Sequence, residues 1–102
     1  MKNDYLSVST FLKSSGGVLP SFYRKKSEVA ACNIPLAEFL KQNAIGGDTF
    51  HNHEKKLPTG VYRECDIDTI NQISRGGKRL VYTIDGSKIY LTNDHYSTFK
   101  EL

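Results

Sequence analysis

The hydrophobic period of this chain changes at Gly46-Gly47, and that change limits what it can fold into more than any other feature. Before it, Tyr5, Val8, Phe11 and Leu12 recur at three- and four-residue spacing, which predicts a helix from Tyr5 to Lys13. Ser14-Ser15-Gly16-Gly17 ends that helix with residues that tolerate a left-handed cap. Two shorter helices are predicted near Lys26 to Ala31 and Pro35 to Gln42, the proline suiting a first turn. Beyond the glycines, VYRECDI (61–67), RLVYTI (79–84), KIYLTN (88–93) and STFKEL (97–102) alternate with period two, and Asp85-Gly86 marks a hairpin. The expected fold class is α+β, with N-terminal helices packed on a C-terminal antiparallel sheet of about five strands. At 102 residues the chain is expected to form one domain, helical over about 1–45 and sheet over about 46–102.

Composition narrows the functional classes. Hydrophobic residues at 38% and charged residues at 25% suit an ordinary globular domain, neither disordered nor membranous. No apolar run approaches the roughly 20 residues of a membrane helix, so no membrane partner is expected. The start, MKNDYLSVST, has no apolar stretch followed by a small-residue cleavage site, so no secretory signal is expected in it. The net charge is +3, and the basic residues cluster in Arg24-Lys25-Lys26, Lys55-Lys56 and Arg75 to Arg79, a pattern that suits a polyanion. Cys32 and Cys65 form no CxxC and are too few for a disulfide framework, which predicts two buried free thiols.

Alternation assigns side chains to faces. In the strand from Val61, Cys65 and Ile67 point into the core, while Tyr62, Glu64 and Asp66 point to the open face. In the next strand Leu80, Tyr82 and Ile84 take the core side, leaving Arg79 open, with Arg75 just before the strand. His95 and Tyr96 fall in the turn between the last two strands, where the sheet can aim them at the same face. A carboxylate, a histidine and cations are what phosphodiester transesterification needs: a base for the 2′-hydroxyl, an acid for the departing 5′-oxygen, and positive charge at the phosphate. The competing structural reading is that Glu64 and Asp66 only pair with Arg75 and Arg79. The adjacent His51, Asn52 and His53 spell H-N-H, which raises a metal-dependent nuclease as an alternative, although no further ligand set is evident.

Five ordered segments then narrow the choice. LPSFYRKKSE (19–28), GGDTFHNHEKKLP (46–58), YRECDI (62–67), R-x-x-x-R (75–79) and DHYSTF (94–99) together resemble barnase-like microbial guanyl-preferring ribonucleases over nearly the whole chain. The resemblance implies that Glu64 is the general base, His95 the general acid, and Arg75, Arg79 and Lys26 the groups that hold the phosphate and stabilise the transition state. It implies that Asp66 is structural, holding the arginines, and that Tyr96 lines the substrate site. It makes 46–58 the guanine-recognition loop, with Phe50, Asn52 and Glu54 holding the base through packing, backbone amides and a carboxylate. His53 stands where that family carries an arginine; a neutral histidine can stack but adds no fixed charge, so base preference and inhibitor recognition are where this chain departs.

The implied activity is cofactor-free cleavage of single-stranded RNA 3′ to guanosine, through a 2′,3′-cyclic phosphate that is then hydrolysed, with a bell-shaped pH dependence set by Glu64 and His95. The implied protein is a monomer, secreted or delivered into a target cell as the toxic part of a larger bacterial protein, and neutralised by an acidic immunity protein. A non-catalytic RNA-binding module and a metal-dependent nuclease using His51 and His53 are the alternatives.

Overall fold

Asp4 opens the first helix, α1 (Tyr5–Ser15), by accepting from the Ser7 amide at 3.2 Å, which satisfies one of the free donors of the first turn. In this computed structural model, which describes residues 2–102, α1 closes at Gly16 in the left-handed conformation, where the Gly17 amide donates to the Leu12 carbonyl. Val8 and Leu12 are buried, whereas Tyr5 and Phe11 of the same helical stripe remain exposed. Two short helices follow, α2 (Lys26–Cys32) and α3 (Leu36–Phe39). α3 is half the predicted length, and Pro35 stands at its N-cap.

Six strands form one sheet in sequence order: β1 (Tyr23–Arg24), β2 (Ala44–Phe50), β3 (Tyr62–Asp66), β4 (Arg79–Thr83), β5 (Ile89–Thr92) and β6 (Lys100–Glu101). β1 pairs parallel with β2, and every later pair is antiparallel. The predicted α+β class holds. The helical half also holds the short strand β1, and β2 begins at Ala44 and runs straight through Gly46-Gly47. A β-bulge explains this: the register steps from Gly46↔Cys65 to Asp48↔Glu64, leaving Gly47 unpaired at φ 102°, a conformation open to glycine. The glycines that look like a breaker are a bend within a central strand.

The core lies between α1 and one sheet face, where Val8 and Leu12 meet Tyr23, Cys65, Leu80, Tyr82 and Ile89. Fully burying a leucine such as Leu12 stabilises by about 1.5–3 kcal/mol. Ile84, expected in this core, is 53% exposed because it sits in the β4–β5 turn, beyond the last paired residue of the strand. Tyr62, expected on an open face, is 3% exposed. A second cluster of Leu57, Tyr62, Val81 and Tyr90 covers that end of the opposite face, with Phe50, Tyr96 and Phe99 packed against it. The last strand is also shorter than expected, because Ser97 and Thr98 bend the chain and Phe99 is irregular before β6 begins.

Cys65 is buried and Cys32 exposed, and both are free. The expectation of two buried thiols fails at Cys32 because α2 is a short helix with no buried residue. No helix of the described residues is long and apolar enough to cross a membrane.

Candidate active site

Register brings the charged residues together on the sheet face opposite α1. Asp48, Glu64, Val81 and Tyr90 form one cross-strand row, and Asp66, Arg79 and Thr92 form the next. Side chains of directly opposed residues share a face, so the pairing alone sets Asp48 beside Glu64 and Asp66 beside Arg79.

Asp66 anchors both arginines. Its carboxylate accepts from Arg75 Nε at 2.7 Å and from Arg75 Nη2 at 2.9 Å, a bidentate pair, and its Oδ1 lies 2.9 Å from Arg79 Nε. That last contact is an ion pair without hydrogen-bond alignment, so Arg79 Nε has no other partner. Arg79 Nη1 donates to the carbonyls of Lys78 at 2.8 Å and Arg75 at 3.4 Å. The hydrogen bonds from Arg75 to Asp66 raise the guanidinium pKa above its ordinary value, against the opposing effect of burial. The Asp66 main chain is fixed as well, its carbonyl accepting from Tyr23 Oη at 2.6 Å.

The turn from Thr92 to Thr98 presents His95 and Tyr96. Both have left-handed backbones, φ 54° and 73°, which costs a side-chain-bearing residue about 1–2 kcal/mol each. Asp94 holds them there: Oδ1 accepts from Thr92 Oγ1 at 2.8 Å and from the Thr98 amide at 2.9 Å, and Oδ2 accepts from Thr98 Oγ1 at 2.6 Å. The His95 amide donates to the Gly77 carbonyl and the Tyr96 amide to Thr92 Oγ1. The Tyr96 hydroxyl then donates to Glu64 Oε1. Burial, and next that hydrogen bond to Glu64, push the Tyr96 phenol pKa well up, so it stays protonated as a donor.

Beside these groups lies a cleft of about 620 Å³. Of the residues predicted to serve the site, it gathers Lys26, Phe50, Asn52, His53, Glu54, Glu64 and Tyr96. His95, Arg75 and Arg79 stand outside its lining: the His95 ring is 4.9 Å from that of Tyr96, Arg75 is near enough to feel Tyr96 and Glu64, and the Arg79 charge acts on Tyr96. Lys26 begins α2, and its amide donates to Asp48 Oδ2 at 3.0 Å, which docks the helix start onto β2.

The loop that follows β2 is built from within. Asn52 has φ 51°; its side chain donates to the Leu57 carbonyl at 2.9 Å and accepts from the Leu57 amide at 3.2 Å. Its amide group is therefore engaged in shaping the loop. Glu54 pairs with Lys56 at 3.1 Å, and Lys56 Nζ reaches on to the Ser97 carbonyl at 2.9 Å, tying this loop to the histidine-bearing turn. His51 and His53 stack with ring centroids 5.2 Å apart. Among the described residues no three His, Cys, Asp or Glu side chains converge as a metal site.

Known proteins share this pattern. A family model described as ribonuclease matches residues 12–102. A ribonuclease from Heyndrickxia coagulans is 39% identical, the alignment covering 82% of this chain and 83% of that protein. A ribonuclease from Bacillus intermedius is likewise 39% identical over 82% of this chain but 56% of its own length. Guanyl-specific ribonuclease Sa from Kitasatospora aureofaciens is 38% identical over 52% of this chain and 58% of that protein. The chain belongs to the barnase-like microbial ribonuclease family. Its substrate class is RNA.

Sequence reasoning missed three parts of the candidate site: Asp48 beside Glu64, Asp94 bracing the turn that carries His95, and Lys56 between loop and turn. Only Asp94 carried a local signal, lying two residues after Thr92 and four before Thr98, a spacing suited to side-chain capping of a turn.

The bonds from Thr98 and Thr92 hold the Asp94 carboxyl at about 2, below the ordinary 3.8. A carboxyl depressed on folding adds stability above its unfolded value and loses it as pH falls through the folded one. The stability difference between wild type and Asp94→Asn is therefore expected in full above about pH 4 and closed below about pH 2. Urea midpoints across that range measure it; a difference unchanged at pH 2 would count against this account of the turn.

Proposed function

We propose that this ribonuclease cleaves single-stranded RNA on the 3′ side of guanosine by metal-independent transesterification. The observation that supports this best is the Glu64 carboxylate, with Oε1 taken by Tyr96 and Oε2 without a hydrogen bond among the described residues, beside a cleft that Lys26 also lines. Glu64 takes the proton from the ribose 2′-hydroxyl, whose oxygen bonds to phosphorus; the bond from phosphorus to the 5′-oxygen breaks, and His95 protonates that leaving oxygen. Lys26, Arg75 and Arg79 stabilise the charge that builds on the phosphate. Water then opens the 2′,3′-cyclic phosphate with the two roles reversed. Glu54 accepts from the guanine N1 and N2 groups, the base packs along Phe50, and His53 stacks in place of an arginine. DNA lacks the 2′-hydroxyl and is inert. An acidic immunity protein covering the cleft, which Lys26 lines with a side chain that forms no ion pair among the described residues, would restrain a toxic form delivered into a target cell.

The test is a single-stranded RNA containing one guanosine, with its DNA counterpart, in excess EDTA, and mapping of product ends. Cleavage of RNA alone, after the guanosine, with a cyclic phosphate appearing first, is the expected result. EDTA sensitivity or DNA cleavage would reopen a metal role for His51 and His53, and RNA retention without cleavage would make the chain a binding module.

A further inference from the structure

We propose that Tyr96 is a positioning residue for Glu64, its phenol fixing Oε1 so that Oε2 alone meets the 2′-hydroxyl. This rests on the reading of Glu64 as the general base. Glutamate is a flexible side chain, and here it stands among strong competing charges. Asp48 is opposite it on β2, Asp66 lies on the same face two residues on, and Lys26 and the arginines are close by. Left to itself, the carboxylate would repel from Asp48 and lean toward whichever cation is nearest. Among the described residues, its one hydrogen bond comes from Tyr96.

Tyr96 is itself placed by several independent contacts. Its amide donates to Thr92 Oγ1 at 3.0 Å, its ring lies 5.2 Å from Phe50 and 4.9 Å from His95, and its carbonyl accepts from Lys56 Nζ at 3.4 Å. The hydroxyl is thus delivered to Glu64 by a fixed ring on a fixed turn. One turn then governs both ends of the proton transfer, carrying the acid at His95 and orienting the base through Tyr96. A residue that only lined the cleft would contribute through its ring; this role resides in the hydroxyl.

The experiment compares Tyr96→Phe in three backgrounds, wild type, Glu64→Gln and His95→Ala, with guanylyl-3′,5′-uridine as substrate. Phenylalanine keeps the ring packing, and unfolding midpoints verify that each variant is folded. In wild type, kcat is expected to fall about tenfold with KM within about twofold, since only the charge-assisted hydrogen bond is lost. In Glu64→Gln the same substitution changes kcat by less than about twofold, while in His95→Ala, which keeps Glu64, an effect above about twofold remains. A tenfold effect that survives in Glu64→Gln, or a rise in KM with kcat unchanged, overturns the positioning role and leaves Glu64 as base. Wild-type activity in Glu64→Gln itself overturns the base assignment instead, so the two failures are distinct.

Discussion

His95→Ala is expected to lower kcat/KM for RNA cleavage by about 10²- to 10⁴-fold, and Glu64→Ala to do the same, because in the proposed reaction each group moves a proton. The two losses should not multiply. Base and acid serve one transition state, so the double variant is expected to lose less than the product of the single losses. His95 is suited to clean removal. It is exposed, and its anchor is a backbone bond from its amide to the Gly77 carbonyl, which alanine keeps. Thermal unfolding should therefore change little while activity collapses. Glu64 is partly buried, and its truncation also frees the Tyr96 phenol, so its unfolding midpoint needs measuring beside its kinetics. Activity within tenfold of wild type in either single variant, with the fold intact, would defeat the assignment of that residue.

Asp66→Ala is expected to destabilise the protein by about 3–5 kcal/mol, since it strips the counter-ion from a buried network. Asp66 is 1% exposed and Arg79 3%, so Arg79 cannot turn to water when its partner goes. Its Nε already has no other protein partner, and its Nη1 is held on two carbonyls. Arg75 has a side chain 30% exposed and can recover some hydration, which places most of the cost on Arg79. The bond from Tyr23 Oη reaches the Asp66 main-chain carbonyl and survives the substitution, so strand β3 keeps its anchor there. Urea unfolding reads the stability change, and kcat at a temperature where the variant is folded reads the loss of arginine alignment. A cost under about 1 kcal/mol would mean that the network is solvated and holds little together.

Helix α1 and the alternation of β3 and β4 were legible in the chain because both are local: three- and four-residue spacing and period two need no knowledge of partners. For the same reason Glu64, Asp66 and Arg79 could be put on one face before any fold was known. Local signals misled where a neighbour changed their meaning. Gly46-Gly47 looks like punctuation, yet the parallel partner β1 on one side and β3 on the other hold it as a bulge inside a strand. Tyr62 alternates outward as expected, but Leu57, Val81 and Tyr90 close over it. Ile84 keeps the strand pattern after the strand has turned.

By itself, then, the sequence determined the α+β class, the order of the segments, the charges that a ribonuclease site would use and the face that most of them share. The tertiary structure alone decided that Tyr96 reaches Glu64 across 32 positions, that Asp48 stands beside that carboxylate, and that one Asp66 holds two arginines. Such contacts leave no periodic trace, because a hydrogen bond depends on distance and direction in space and not on separation along the chain.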